Sequence, residues 1–212
     1  MGCNKALLNQ EEIICVSCLY HLPLTDFHMD PNNESVQQLK GKFVFEFACS
    51  MLYFKSGSIV EKLIYNLKYN NHPQVGYFLG VQYGKQLLKS SLLRQIDIVV
   101  PIPLHKKRFH QRGYNQSEYF ARGLGKSLNA FVDCKTLRRK SYQKSQTTMR
   151  TQDRVQNVEN AFECVNPNRF ANKNILLVDD VLTTGATIAA AANILNKAAP
   201  NCKLFIASLA RA

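Results

Sequence analysis

Hydrophobic residues in this chain gather in short continuous runs that are separated by longer stretches with a helical period. A continuous apolar run bounded by turn residues is typical of a strand that is buried on both faces, as in a parallel sheet. β-Branched and aromatic residues within such runs strengthen the strand prediction. We therefore predict strands at 43–54, 97–101, 131–137, 161–165, 175–178 and 203–209.

Helical spacing dominates between these runs. Ile59, Leu63, Ile64 and Leu67 recur on one face of a helix, which the turn residues 70–73 end. Further helices are predicted at 75–93, 115–128 and 186–198. Strands that alternate with helices in this way indicate an α/β fold with a mainly parallel sheet. The polar, turn-rich segment 31–42 is interpreted as a linker.

Two adjacent acids, Asp179 and Asp180, directly follow the predicted strand 175–178. In open α/β sheets, ligands bind in the crevice at the carboxyl ends of the strands. Carboxylates at this place can accept hydrogen bonds from sugar hydroxyls. The alternative interpretation is structural, with one acid capping the next helix and the other exposed to solvent.

The loop after the acids predicts a phosphate site. Thr183, Thr184 and Thr187 offer hydroxyl donors, and Gly185 lets the backbone approach a ligand closely. The helix that starts at Ala186 presents unpaired N–H groups and the positive end of its dipole, which favour an anion. Acids and loop together predict a site for a phosphorylated sugar.

The formal net charge of +12 has two explanations. A basic surface attracts any polyanion, including nucleic acid, and a site for a pyrophosphate-bearing substrate also requires several cations. The positive charges concentrate at 106–112 and 138–154. Because the predicted strand 97–101 ends close to Lys106, Lys107 and Arg108, we expect these three residues to lie in a basic loop that faces the acids.

Cysteines near the start of the chain suggest a metal site. Cys15 and Cys18 form a C-x-x-C pair, Cys3 lies upstream, and His21 is a candidate fourth ligand. This spacing suits tetrahedral Zn²⁺ in a reducing compartment. Two other interpretations stay open: structural thiols without metal, and a redox pair, although the redox pair lacks the βαβ surroundings that it needs.

The string VDDVLTTGAT, residues 178–187, resembles the phosphoribosyl-pyrophosphate (PRPP) motif of type I phosphoribosyltransferases. The resemblance implies that Asp179 and Asp180 hold the ribose hydroxyls and that 183–187 wrap the 5′-phosphate. It also implies Mg²⁺ bound with PRPP. In these enzymes a basic loop holds the pyrophosphate, a role that Lys106, Lys107 and Arg108 would take. Asp180 is our candidate for a catalytic base.

A second motif narrows the resemblance. The sequence VVPIPLHKKRFHQRGYNQSEYFARGL, residues 99–124, is similar to the signature of the ComF family of phosphoribosyltransferase-like proteins. That family carries an N-terminal four-cysteine zinc ribbon, which implies a zinc-ribbon-like module at 1–30 and a phosphoribosyltransferase domain at 43–212. The first cysteine of the ribbon is missing here, as if the chain were truncated at its N-terminus. Members are associated with DNA uptake. Within the motif, Asn115 or Ser117 is expected to cap the helix that follows.

The long polar segment 138–160 has no clear period, and such loops are more often functional than inert. The resemblance implies a flexible loop that closes over PRPP, in which Gln146, Arg150 and Arg154 meet the ligand. Closure would shield the oxocarbenium-like centre from water. The competing interpretation is a loop that binds nucleic acid through its cations.

Two functions follow from this reading. The first is transfer of a phosphoribosyl group from PRPP to an unidentified acceptor, such as a nucleobase or an amine, with release of pyrophosphate. The second is a non-catalytic sensor of PRPP or a nucleotide that binds single-stranded DNA or a DNA-uptake protein. Tyrosines 65, 69, 77 and 83 resemble a stacking platform for bases, but their helical spacing favours core positions.

The remaining expectations concern location and assembly. No apolar stretch reaches membrane-spanning length, and the N-terminus lacks the features of a signal peptide. We therefore expect a cytoplasmic protein without membrane insertion, and a homodimer stays open.

Overall fold

The structure, a computed structural model, describes residues 1–3, 6–140 and 161–212. The candidate loop residues Gln146, Arg150 and Arg154 therefore lie outside the described residues. The described helices are α1 (Val16–Tyr20), α2 (Glu34–Leu39), α3 (Ile59–Tyr69), α4 (Gln74–Leu87), α5 (Lys106–Arg112), α6 (Gln116–Leu128) and α7 (Ala186–Ala198). Short 3₁₀ turns lie at Phe27–Met29 and Pro167–Phe170.

A parallel sheet of five strands forms the centre of the fold, which confirms the predicted α/β class. Its strands are β1 (Phe47–Tyr53), β2 (Ile98–Pro101), β3 (Phe131–Val132), β6 (Asn174–Leu182) and β7 (Lys203–Arg211), in the spatial order β1-β7-β6-β2-β3. Two further strands, β4 (Leu137–Arg139) and β5 (Phe162–Cys164), form a separate antiparallel pair. β6 therefore lies inside the sheet, between β7 and β2.

Alternate side chains of β6 enter two hydrophobic cores on opposite faces of the sheet. Leu176 and Val178 pack into the core that also contains residues of α3, α4 and α6. Ile175 and Leu177 pack into the second core, with residues of α7 and β5. Burial on both faces explains why this strand appears in the sequence as a continuous apolar run.

Several predicted elements have different bounds in the structure. The expected basic loop is wrong: Lys106, Lys107 and Arg108 begin α5, whose first turn is capped by the His105 side chain. The predicted strand 131–137 is interrupted because Asp133 accepts bonds from the Lys135 and Thr136 amides in a tight turn. Helix 75–93 ends earlier, at Leu87.

The predicted linker 31–42 contains α2. Asn33 caps this helix by accepting bonds from the Ser35 and Val36 N–H groups. Leu39 is fully buried in the core that it shares with α7. One buried side chain and a strong cap thus outweigh the polar composition of the segment.

Helices α4 and α6 cross at very short range. A Cβ added at Gly80 would lie 2.3 Å from the Phe120 carbonyl oxygen, and one added at Gly123 would lie 2.2 Å from the Tyr77 carbonyl oxygen. These distances are shorter than van der Waals contact, so only glycine fits at the crossing. The crossing fixes α6, whose first turn faces the carboxyl end of β6 through Ser117.

Replacing Gly80 by alanine should lower the free energy of unfolding by about 1–3 kcal/mol, the usual cost of overpacking. The matched control is Gly76→Ala in the same helix, where the nearest atom lies 3.1 Å from the added Cβ and belongs to the flexible Leu67 side chain. Urea unfolding of both variants measures the difference. Equal stability losses would contradict the backbone clash as the cause.

Candidate functional site

Asp179 and Asp180 lie near the carboxyl end of β6, shortly before its last residue, Leu182. Ser117 Oγ of α6 donates a hydrogen bond of 2.9 Å to Asp179 Oδ1, which also accepts the Asp180 N–H at 2.9 Å. Asp180 Oδ2 lies 3.0 Å from Lys68 Nζ of α3, in a partly buried ion pair. Two helices therefore hold the two carboxylates separately. Neither acid caps a helix, so the structural alternative from the sequence is wrong.

Asp179 binds a proton more tightly than an ordinary aspartate does. Burial, followed by the negative charge of Asp180, raises the pKa of Asp179 to about 7. The hydrogen bonds from the Asp180 amide and Ser117 and the charge of Lys68 oppose this shift, but they are smaller effects. Asp179 therefore exchanges a proton near neutral pH.

The loop between β6 and α7 turns sharply at Gly185, which has a φ of 77°. A side chain at this position would be strained, and its Cβ would also lie 2.5 Å from Leu39 Cδ2. Thr183, Thr184 and Ala186 are exposed, and Thr187 is half-buried beside them. The structure thus brings the predicted phosphate loop, Thr183 to Thr187, next to the acids in a small cleft.

A cavity of about 560 Å³ opens over these elements. The lining includes both acids, Thr183, Thr187 and five cationic side chains, namely Lys68, Lys107, Arg108, Arg112 and Arg139. Of the three predicted pyrophosphate residues, Lys107 and Arg108 line the cavity and Lys106 does not. Five cations against two carboxylates give a cavity that attracts a polyanion.

Sequence reasoning missed two cations of this cavity, Lys68 and Arg112, as site residues, whereas Arg139 lies in the basic segment 138–154 that the sequence singled out. Lys68 sits at the end of an amphipathic helix, where it looked like an ordinary exposed residue. Arg112 donates to Gln116 Oε1 at 2.9 Å and stacks on Tyr69, with 5.1 Å from its Cζ to the ring centroid. Its buried Nε has no partner among the described residues. Arg139 reaches the cavity from β4, and burial lowers its pKa, with the charge of Arg108 adding to the effect.

The two residues predicted to cap α6, Asn115 and Ser117, bind other groups instead. Asn115 makes no side-chain capping bond; its Nδ2 donates to the Ile102 carbonyl oxygen at 2.9 Å. This bond ties the start of α6 to the loop that leaves β2. Ser117 binds Asp179 instead. Arg112, Gln116 and Ser117 of the motif thus line the cavity, a role that the resemblance alone did not specify.

Three thiols converge near the N-terminus. The ligand atoms of Cys3, Cys15 and Cys18 all lie within 4.8 Å of one another, and Cys3 Sγ is 3.6 Å from Cys15 Sγ. Tetrahedral Zn–S bonds of about 2.3 Å place sulfur atoms roughly 3.8 Å apart, so the three thiols fit a zinc ion. His21 is not the fourth ligand, since its Nδ1 contacts the Ser17 carbonyl oxygen and the cluster does not include it.

This cysteine module shares the main core. Ile14, Cys18, Leu22 and Phe27 pack in the same cluster as β1 and α3.

Among the described residues, every helix is too short or too polar to cross a bilayer.

Comparison with known proteins shows a similarity to one domain family and to several named proteins. The family described as phosphoribosyl transferase domain matches residues 115–212, which contain α6, β6 and the phosphate loop. Competence protein F of Haemophilus influenzae is 32% identical over 121 residues, and competence protein ComFC of Bacillus subtilis is 35% identical over 98 residues. This chain is therefore similar to two competence proteins, and its residues 115–212 match the phosphoribosyl transferase domain.

Another relative is similar over a slightly longer stretch. The DNA utilization protein YhgH of Escherichia coli K12 is 29% identical over 139 residues, or 64% of this chain and 60% of that protein. The matches to competence protein F and ComFC cover 57% and 46% of this chain. The matched regions span 52% and 38% of those two relatives, so this chain corresponds to only part of their length.

A solved structure, the allosteric regulatory enzyme of purine biosynthesis, superposes with a TM-score of 0.46 at 18% identity. The superposition covers 68% of this chain and 29% of that one.

Protonation of Asp179 should be visible in protein stability. A raised folded-state pKa means that the folded protein holds this proton more tightly than the unfolded chain, so its stabilising effect is present at low pH and is lost as the pH rises toward 7. Asp179→Asn removes the ionisation while it keeps the shape. The variant should therefore gain stability relative to the original chain between pH 5 and pH 8, as measured by urea unfolding. Asp30→Asn serves as a control. A stability difference that does not change with pH would contradict the assignment.

Proposed function

We propose that this protein binds PRPP and transfers its phosphoribosyl group to an acceptor with release of pyrophosphate. The observation that carries the proposal is the cavity in which one strand end supplies two carboxylates, one loop supplies a phosphate cradle, and five cations face both. PRPP needs these three kinds of partner: acceptors for its hydroxyls, N–H donors for its 5′-phosphate, and cations for its pyrophosphate.

Each group of residues takes one part of the ligand. Asp179 and Asp180 accept hydrogen bonds from the ribose hydroxyls, and residues 183–187 hold the 5′-phosphate. Lys107 and Arg108 lie with Arg112 and Arg139 around the remaining volume, where they neutralise the pyrophosphate as it leaves. Catalysis of this kind depends on positioning and electrostatics more than on a single reactive side chain.

Mg²⁺ fits this arrangement as a companion of PRPP, because carboxylate and phosphate oxygens are the ligands that it prefers. When bound, it would neutralise charge on the pyrophosphate. Asp179 and Asp180 are the described carboxylates of the cavity that could face it.

The two acids suit different tasks. Asp180, the candidate base from the sequence, is held by Lys68 in an ion pair of 3.0 Å, which suits it to orient the ribose. The pKa of Asp179, near 7, suits proton exchange with an acceptor at neutral pH. We therefore assign proton transfer to Asp179 and ribose orientation to Asp180, should the acceptor need to lose a proton.

The wider setting is also proposed. The names of the relatives refer to competence and DNA utilization, and we infer that this chain serves DNA uptake or the use of imported DNA. The division into residues 1–30 and 43–212, zinc at the cysteines and the cytoplasmic location stay predictions.

The double substitution Asp179→Asn and Asp180→Asn should weaken PRPP binding at least about tenfold, since it removes two charge-assisted acceptors from the ribose. Isothermal titration with Mg²⁺-PRPP measures the affinity, and pyrophosphate release across a panel of nucleobases and amines measures turnover. Asp97→Asn, far from the cavity at the other end of β2, is the matched control. Failure of the original chain to bind PRPP would rule out the proposal.

A second function, binding of single-stranded nucleic acid, is favoured by one observation. Tyr83 is buried, as its spacing predicted, but Tyr65 and Tyr69 are each 55% exposed and their ring centroids lie 5.0 Å apart. The Arg112 guanidinium connects Tyr69 with the cavity. Exposed aromatic rings beside cations are what sequence-tolerant binding of unpaired bases requires.

Replacing Tyr65 and Tyr69 by alanine should weaken the binding of a labelled oligothymidylate by about tenfold or more, because each stacked base contributes about 1–3 kcal/mol. Fluorescence anisotropy at two salt concentrations measures this loss. Tyr20→Ala, a still more exposed tyrosine in α1, is the control. Unchanged affinity in the double variant would exclude this surface, and PRPP titration of the same variant separates the two functions.

A further inference from the structure

Helix α2 lies directly behind the phosphate loop. Gln38 Nε2 donates a hydrogen bond to the Thr183 carbonyl oxygen, and Lys42 Nζ donates one of 2.7 Å to the Thr184 carbonyl oxygen. We propose that Gln38 and Lys42 are positioning residues that orient the loop for phosphate. This inference rests on the proposed function, since it concerns how the same cradle binds the 5′-phosphate.

The support behind these two donors is rigid. The buried Asn33 side chain caps α2 and also donates to the carbonyl oxygens of Phe27, Asp30 and Ala48. Ser35 Oγ lies 2.9 Å from Ser50 Oγ, which lies 2.7 Å from Ser208 Oγ. A buried hydroxyl chain thus joins α2 to β1 and β7, so the helix moves only if the sheet moves.

Gln38 itself is oriented by a further contact. Arg211 Nε, at the end of β7, donates to Gln38 Oε1 at 3.2 Å. Arg211 Nη1 pairs with Glu34 Oε2 at 2.5 Å. Because the amide oxygen is occupied by arginine, the amide nitrogen faces Thr183. The end of the sheet therefore determines which group of Gln38 meets the loop.

The geometry of the peptide group explains how the hydrogen bonds from Gln38 and Lys42 shape a binding site. In a trans peptide, the C=O of one residue and the N–H of the next point in opposite directions. Binding the Thr183 and Thr184 carbonyls on the α2 side therefore turns the N–H groups of Thr184 and Gly185 away from α2, toward the cleft. Neither N–H donates to an atom of residues 1–3, 6–140 or 161–212. Consecutive N–H groups that face one side form a concavity for anions.

Two further features strengthen this cradle. A Cβ at Gly185 would lie 3.8 Å from Lys42 Nζ, so the ammonium group adds positive potential close to the loop. Donation to a peptide carbonyl also polarises the N–H on the other side of the same peptide. Lys42 thus acts on the phosphate through the backbone as well as through its charge.

The test uses Gln38→Ala, Lys42→Ala and their double variant. The controls come from the same segment: Gln37→Ala, whose amide faces the Asn32 carbonyl, and Lys40→Ala, which removes the same charge from an exposed position. Order parameters from ¹⁵N relaxation report the loop without any ligand. For Thr184 and Gly185 we expect values near about 0.85 in the original chain and the controls, and below roughly 0.6 in the double variant.

Titration gives the second measurement. The double variant should lose about tenfold in affinity for ribose 5-phosphate, the loss of one to two charge-assisted bonds, and should keep its affinity for pyrophosphate, which the cations on the opposite wall hold. Lys42→Arg should restore part of the loss because it returns a charged donor.

The outcomes separate two failures. Unchanged order parameters in the double variant, or equal losses for ribose 5-phosphate and pyrophosphate, would overturn the positioning role. If the loop loosens as expected but the original chain binds neither ribose 5-phosphate nor PRPP, the positioning role stands and the proposed function fails.

Discussion

The site depends on keeping two negative charges next to each other at the end of a buried strand. Coulomb repulsion in a poorly solvated place opposes double ionisation. The protein meets this cost with unlike partners: a hydroxyl donor for Asp179 and an ammonium group for Asp180. Burial and the charge of Asp180 still raise the pKa of Asp179 to about 7. Five cationic side chains surround this pair of acids in the cavity.

Those partners come from helices whose positions are themselves constrained. Ser117 can reach Asp179 because α6 is locked against α4 by glycines that leave no space for a side chain. Lys68 reaches Asp180 from α3, which packs in the same core as α4 and α6. The packing of these helices away from the ligand site therefore sets the distances between the charged groups of the cavity.

Local sequence patterns predicted those elements whose structure depends mainly on residues close together in the chain. The apolar run of β6, the span of α7 and the glycine of the phosphate loop follow from periodicity and backbone freedom. Lys68 could not be found in this way, because tertiary packing alone brings it to the cavity. α2 was mistaken for a linker because its polar side chains bind the phosphate loop and the sheet end, contacts with no signature in the segment itself. Tyr65 and Tyr69 share their spacing with buried residues, so periodicity could not assign their exposure.

The order of strands in the sheet has a consequence for synthesis of the protein. Among the described residues, β1 pairs in the sheet with β7 alone, and the hydroxyl groups of Ser50 and Ser208, which contact each other, are 158 residues apart in the chain. Contacts between such distant segments form late and slowly. β6 pairs with β7, and Gln38 of α2 contacts Arg211 at the end of β7. Neither contact can form before β7 has left the ribosome. The phosphate loop, although translated before β7, would acquire its binding shape only after β7 had joined the sheet.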